Sequence, residues 1–205
     1  MNRRFLLLFL LLLCVLMPSL LWAHPGHEHS HGLSLWAGLV HPITGIDHMV
    51  AALAVGAWAV LGDRSRWQLP AIFLGAMMVG AAVSAAGLAV GGIHLLSSIS
   101  VVVLGLLLAT ATLWPRRAVS ALVGAVGLIH GGAHLAGVTA SGSTIALYVA
   151  AIVLGTALLH GAGFLVASRF FENTREGLSN AVAPRWAGAA VALTGLMIVS
   201  AHLFM

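Results

Sequence analysis

Long apolar segments with almost no charge constrain this chain more than any other feature of its sequence. Of its 205 residues, 60% are hydrophobic and only 7% are charged, and the mean hydropathy is +1.06. Charged residues make up about a quarter of an ordinary soluble domain. Segments of about 20 apolar residues match the hydrocarbon core of a lipid bilayer. The sequence therefore predicts a compact, all-α, polytopic membrane protein.

Six apolar segments follow one another along the chain, and each is near or above the length of a transmembrane helix. They cover residues 33–61, 68–90, 92–114, 118–138, 143–168 and 186–205. Short polar or glycine-rich stretches separate them. We therefore expect one membrane domain, residues 33–205, with six transmembrane helices in the bilayer.

The amino-terminal residues have the pattern of a secretory signal peptide. Arg3 and Arg4 precede an apolar stretch that ends in a suitable cleavage site, Leu21-Trp22-Ala23. We predict a signal peptide over residues 1–23, with an uncleaved anchor as the alternative. A His-rich tail, residues 24–32, follows it and contains His24, His27, His29 and His31. The only cysteine, Cys14, lies within the signal, which excludes a disulfide framework or a cysteine metal site.

The distribution of arginines predicts how the chain is oriented. All seven arginines after the signal lie in the first, third and fifth predicted loops: Arg64, Arg66, Arg116, Arg117, Arg169, Arg175 and Arg185. The positive-inside rule places these loops in the cytoplasm. The His-rich tail would then be periplasmic, and the chain a multi-pass protein of the bacterial inner membrane. Because the arginines form no basic patch with interleaved aromatic residues, nucleic-acid binding is not expected.

The segment "HPITGIDHMV", residues 41–50, places ionisable side chains inside the first predicted span. A charged residue at the centre of a membrane helix costs about 2.5–3.5 kcal/mol on insertion scales, so His41, Asp47 and His48 indicate function. On one helix His41 and His48 would be two turns apart and nearly eclipsed. Pro42 predicts a kink at this point, which would free the Gly38 carbonyl as a further oxygen ligand.

Three more histidines lie inside later spans. "IHGGAHL" places His130 and His134 four residues apart, the spacing at which two imidazoles on one helix can bind one ion. Thr156 and His160 have the same spacing in the fifth span. Counted from the loops, His41 and His134 lie in the outer half, Asp47, His48 and His130 near the middle, and His160 nearer the cytoplasm. Imidazole and carboxylate suit nickel, zinc, copper or iron, so the residues alone predict a transition-metal pathway.

Other residues are interpreted as structural. Two Gly-x-x-x-Gly pairs, at 87–91 and 127–131, have the spacing of close helix contacts. For His94 and His202, at the outer ends of their spans, we favour hydrogen bonding between helices. The chain lacks the Gly-x-x-x-x-Gly-Lys-Ser/Thr phosphate loop, so ATP hydrolysis is not expected.

Three of these segments together resemble one known family. "HPITGIDHMVAALAVG" is similar to the His-Pro-x-x-Gly-x-Asp-His signature, followed by Val-Gly, of the HupE/UreJ nickel permeases. "HGGAH" in the fourth span and "GTALLHGAG" in the fifth resemble two further elements of that family. One departure concerns the residues after the fourth-span element, where the family has a Gly and often a Glu. Here Leu135 and Gly137 stand in that region, which affects the expected ion preference.

The resemblance implies a permease that imports Ni²⁺, or next Co²⁺, and supplies enzymes such as hydrogenase or urease. The metal would be the transported substrate, with no prosthetic group and no enzymatic activity. The expected metal ligands are His41, Asp47, His48, His130, His134 and His160, with weaker roles for His24, His27, His29 and His31.

Two alternatives remain open at this stage. One is an intramembrane metalloenzyme, a zinc hydrolase or an iron oxidase, with three histidines and an open coordination position. Asp47 is the only acidic residue in the predicted spans and would have to serve as either its base or its ligand. The other is a metal-sensing or metallochaperone subunit of a larger assembly. A homo-oligomer and accessory subunits are both left open.

Overall fold

The protein is all-α in the part that its structure, a computed structural model, describes: residues 33–61, 67–88, 90–110, 114–138, 142–171 and 182–204. The predicted signal and the His-rich tail lie outside these residues. Seven helices occupy the described residues: α1 (Leu35–Thr44), α2 (Ile46–Leu61), α3 (Gln68–Ala85), α4 (Ile93–Ala109), α5 (Arg116–Leu135), α6 (Ser143–Phe171) and α7 (Val182–Phe204).

The helices have the length and composition of membrane spans. Four of them, α3, α5, α6 and α7, are long and apolar enough to cross a bilayer, and α1 with α2 forms a fifth span if the bent pair is counted as one. The remaining helix of the described segments, α4, is apolar but has 17 residues. The expectation of an all-α membrane protein is thus confirmed, with four to five candidate spans among the described residues, whereas the sixth span stays a prediction.

The first span is broken, and the break lies at a residue other than the expected one. Helix α1 continues through Pro42 and ends at Thr44, and α2 begins at Ile46 at an angle of 78° to it. Gly45, between them, has an extended backbone and donates its amide hydrogen to the His41 carbonyl at 3.0 Å. The prediction of a kink at His41–Pro42, and of His41 and His48 on one continuous helix, is therefore wrong.

Packing explains why the helix tolerates Pro42. The proline is buried, and a Cβ added to Gly155 of α6 would lie 3.3 Å from its Cγ. The absence of a side chain at position 155 lets α6 approach α1 closely enough to hold Pro42 in place. The ring then costs one backbone hydrogen bond within a helix that ends two residues later.

Three helix pairs make the most extensive contacts: α3 with α5, α4 with α7, and α2 with α6. Each pair meets backbone to backbone at glycines. A Cβ on Gly131 would meet the Met77 carbonyl, one on Gly188 the backbone of Ala109, and one on Gly56 the His160 carbonyl. Small residues allow this approach, and close packing is what holds helices together in lipid.

The two Gly-x-x-x-Gly predictions have opposite outcomes. Gly127 and Gly131 lie on α5 against the backbone of α3, as the spacing predicted. Gly87 and Gly91 lie in the turn between α3 and α4, and a Cβ at either position would meet nothing within 4 Å. Gly87 instead has a φ of 82°, a conformation that glycine adopts without strain, so its role is to form a turn.

Candidate metal centre

Three histidines from three helices converge inside the bundle. His41 of α1, His48 of α2 and His134 of α5 each offer a ligand atom, and these atoms all lie within 4.8 Å of one another. The ring centroids are 5.6 Å apart for His41 and His48, 5.0 Å for His41 and His134, and 4.1 Å for His48 and His134. We call this group the three-histidine site.

The bend at Gly45 creates the site. His41 is in the last turn of α1 and His48 in the first turn of α2, so the bend brings together two rings from successive helices. His134 comes from the last turn of α5. His48 and His134 are buried, and His41 is partly exposed, so the site is more open on the side of His41.

One nitrogen of the site has no internal partner. His134 Nδ1 is buried without a hydrogen bond to any described residue. A buried polar atom left unpaired costs about 1–3 kcal/mol, and native proteins usually satisfy it with a protein group, water or an ion. A metal ion bound by the three imidazoles would satisfy this atom if His134 coordinates through Nδ1.

His130 lies next to the three-histidine site, and both of its nitrogens have partners. Its Nδ1 is 2.7 Å from His48 Nδ1, and its Nε2 is 2.9 Å from the hydroxyl of Ser100 on α4. The side chain is only 1% exposed. His130 and His134 are neighbours on α5 as predicted, but the structure groups His134 with His41 and His48 and hydrogen-bonds His130 to His48.

Asp47 is held beside the site by a helix that contributes no ligand. The hydroxyl of Ser97 on α4 donates to Asp47 Oδ2 at 2.6 Å, while Oδ1 is 3.9 Å from His48 Nε2. The carboxylate thus has one oxygen fixed by a hydrogen bond and the other facing His48 Nε2, the nitrogen of that ring that does not contact His130. It is the only acidic residue among the described segments, and it lies at the edge of the site.

His160 lies apart from these residues. It is 1% exposed, its centroid is 5.2 Å from that of Phe73, and the same Phe73 ring lies 5.7 Å from His130. Neither nitrogen of His160 is hydrogen-bonded to a residue that the structure describes. The Thr156 hydroxyl, one turn earlier, is also buried and unpaired, so the threonine does not satisfy the histidine.

The remaining predicted residues divide into two groups. The four tail histidines, His24, His27, His29 and His31, lie outside the described residues. His202 Nδ1 on α7 lies 3.0 Å from the Ile198 carbonyl of its own helix and 3.4 Å from the Ser98 hydroxyl of α4, so a contact between helices is present, as the sequence favoured. For His94 that expectation is not met among the described residues: its side chain is exposed, and only its carbonyl accepts a hydrogen bond, from Ser98 of the same helix.

Sequence reasoning missed Ser97 and Ser100. The sequence feature that could have identified them is "SSIS", residues 97–100, which places three hydroxyl groups within an otherwise apolar span. Both side chains are buried, at 0% and 4% exposure. A buried hydroxyl in a membrane helix needs a partner, and here the partners are an aspartate and a histidine of the candidate site.

Comparison with known proteins adds an independent line of evidence. A sequence model described as HupE / UreJ protein matches residues 11–198. The chain is 35% identical over 187 residues to Protein HupE of Rhizobium leguminosarum bv. viciae, covering 89% of this chain and 92% of that protein. No solved structure matches.

Proposed function

The chain belongs to the HupE/UreJ family, and from that membership and the geometry of the three-histidine site we propose that it carries a divalent transition metal across the inner membrane into the cytoplasm. Ni²⁺ is the favoured substrate and Co²⁺ the next, as the family resemblance implies. The transport is secondary or facilitated, since the sequence has no phosphate loop.

The observation that carries this proposal is the convergence of His41, His48 and His134 within a chain of membrane helices. Their ligand atoms lie within 4.8 Å of one another, close enough to bind one ion together. Neutral imidazole is a suitable ligand for nickel and cobalt. Ligands from three separate helices also allow relative helix movement to change the affinity, which a transporter needs for release.

The broken first span supports transport over a purely structural metal site. In many transporters the substrate binds near the midplane, where discontinuous helices expose polar backbone to a cavity. Helices α1 and α2 meet at 78°, and two of the three histidines flank this break. With α4, whose 17 residues extend about 26 Å, the chain would have the six spans that the sequence predicts.

Asp47 provides the negative charge that a divalent ion requires. Neutral imidazoles do not offset a charge of +2 in a low-dielectric site, and Asp47 Oδ1 lies 3.9 Å from His48 Nε2. This arrangement also supports a transporter over a metalloenzyme. Among the described residues Asp47 is the only carboxylate, so an enzyme would have no second acidic group to act as a base beside the metal.

We propose a path that runs inward from the periplasmic side. The tail histidines would collect the ion and pass it to the three-histidine site. His160 would receive it next. The Phe73 ring contacts both His160 and His130, the neighbour of His48, and would separate His160 from the three-histidine site.

The His-rich tail is tested by deletion. Deleting residues 27–31 should reduce uptake when metal is scarce and have little effect when it is abundant; an equal loss at all concentrations would assign the tail to the core site.

Uptake of radiolabelled Ni²⁺ and Co²⁺ in cells lacking other importers tests the proposal. Wild-type protein should support uptake, and His48→Ala should reduce it to background at equal expression. His202→Ala is the matched control, because that histidine contacts Ser98 and lies outside the site. Equal uptake by the His48→Ala and wild-type proteins would refute the proposed function.

A further inference from the structure

The hydroxyl of Ser100 has one hydrogen, and its position is fixed by a backbone carbonyl. Ser100 Oγ lies 2.6 Å from the Ser97 carbonyl oxygen, one turn earlier on α4. A carbonyl only accepts, so the hydroxyl donates its hydrogen there. Toward His130 Nε2, at 2.9 Å, the same hydroxyl must therefore accept, and His130 carries its hydrogen on Nε2.

The hydrogen on His130 Nε2 determines which tautomer His48 adopts. A neutral imidazole has one N–H, and the other nitrogen is an acceptor. His130 Nδ1 is then the acceptor in the 2.7 Å contact with His48 Nδ1, and His48 donates from Nδ1. The Nε2 atom of His48 consequently keeps a free lone pair, which is the form that binds a metal.

From this geometry we propose that His130 is a positioning residue for the metal site and not one of its ligands. The chain of hydrogen bonds from the Ser97 carbonyl through Ser100 and His130 holds His48 in the tautomer whose Nε2 faces the ion. Metal-binding histidines commonly use their second nitrogen for such an outer hydrogen bond, which fixes the ring and its tautomer. The proposal rests on the proposed function, because it assigns a role at the same site.

The position of Asp47 agrees with this assignment. With the hydrogen of His48 on Nδ1, two acceptors face each other across 3.9 Å: His48 Nε2 and Asp47 Oδ1. Two facing lone pairs attract a cation. Helix α4 therefore orients two groups of the site from outside it, Asp47 through the Ser97 hydroxyl and His48 through Ser100 and His130.

Metal titration of the purified protein separates a positioning role from a ligand role. In His130→Gln, the side-chain carbonyl can accept from His48 Nδ1 and the amide can donate to Ser100, so the outer hydrogen bonds are preserved. We expect His130→Ala to lower Ni²⁺ affinity by about 10- to 100-fold, the usual effect of losing such a partner, and His130→Gln to retain most of the affinity. An equal loss in both variants would make His130 a ligand and overturn the proposal.

Nitrogen NMR on histidine-labelled, metal-free protein in nanodiscs gives a second readout that does not depend on affinity. The proton should be on Nδ1 of His48 and on Nε2 of His130. In Ser100→Ala, we expect a mixture of the two His48 tautomers, with the proton on Nδ1 in some molecules and on Nε2 in others. Ser98→Ala is the matched control, because its hydroxyl donates to the His94 carbonyl on the same helix, and it should leave the wild-type pattern unchanged. A proton on Nε2 of wild-type His48 would overturn the proposal.

These measurements distinguish the failure of this inference from the failure of the proposed function. Binding and tautomer state are measured without transport. Wild-type protein that binds Ni²⁺ but does not carry it into vesicles would refute transport and leave the role of His130 standing. If wild-type protein transports Ni²⁺ while the Gln and Ala variants bind equally poorly, only the positioning role fails.

Discussion

His41 and His48 lie on helices that meet at 78°, yet their ring centroids are 5.6 Å apart. On a continuous helix these two residues would be about 10 Å apart along the axis, too far to bind one ion. The bend at Gly45 therefore brings two proposed ligands from successive helices next to each other. We expect this geometry to affect metal affinity, because a change in the angle between α1 and α2 would change the distance between the two rings.

Gly45→Ala should weaken metal binding more than it weakens the fold. A Cβ at this position would lie 2.7 Å from Cδ2 of His48, so the ring would have to move away. The backbone at Gly45 has a φ of −79°, which alanine also adopts, so no backbone strain is added. Ni²⁺ titration beside thermal unfolding would check this. Unchanged affinity would show that the His48 ring is free to move without cost to the site.

Asp47→Asn should reduce metal uptake to background while the protein stays inserted and abundant. Asparagine keeps the size and the carbonyl that accepts from Ser97, but it loses the negative charge. Ser97→Ala is the matched variant: it removes the hydrogen bond and keeps the charge, so uptake should fall only partly. Uptake and membrane abundance would be measured together. Near-normal uptake by abundant Asp47→Asn protein would give this carboxylate a packing role alone.

Gly131→Ala should destabilise the protein, and Gly124→Ala, on the same helix α5, should not. A Cβ on Gly131 would collide with the Met77 carbonyl of α3, whereas one on Gly124 would lie 3.5 Å from Ile72 Cγ2, an ordinary contact. We expect Gly131→Ala to destabilise the protein by about 1–3 kcal/mol. Gly124→Ala should be neutral or stabilise it by up to about 1 kcal/mol through helix propensity. Unfolding in detergent would measure both, and equal midpoints would contradict the α3–α5 packing.

Reporter fusions would test the predicted orientation. A reporter active only in the cytoplasm should work after Arg66, Arg117 or Arg175 and fail after Gly92 or Gly142, because the arginines all lie in alternate loops. The inverse pattern would place the His-rich tail in the cytoplasm and contradict a path that begins there.

The sequence was sufficient to predict an all-α membrane protein and to identify candidate metal ligands. Apolar runs long enough to span a bilayer predict helices with little ambiguity, because lipid leaves few other ways to pair the backbone. Histidine and aspartate inside such runs are costly, so they identify candidate ligands before any geometry is known. His41, His48 and His134 were all found in this way.

The position of the break and the role of α4 required the structure. Pro42 is the stronger local signal for a kink, but its fit against Gly155 depends on a helix more than a hundred residues further along the chain. In the same way, the hydroxyl run that contains Ser97 and Ser100 does not show what these side chains bind, because their partners, Asp47 and His130, are on other helices. Both the position of the break and the contacts of α4 depend on tertiary packing, which cannot be predicted from sequence periodicity.

Uptake of Ni²⁺ by purified protein in liposomes tests the central claim most directly, since no other importer or partner is present. Three reconstituted proteins would be compared at equal density and orientation: wild type, His134→Ala and the control His202→Ala. His134 is the proposed ligand whose Nδ1 is buried without a described partner, while His202 is exposed and lies outside the site. We predict metal accumulation by wild type and His202→Ala and background levels with His134→Ala; accumulation by His134→Ala at the wild-type rate would contradict transport through the three-histidine site.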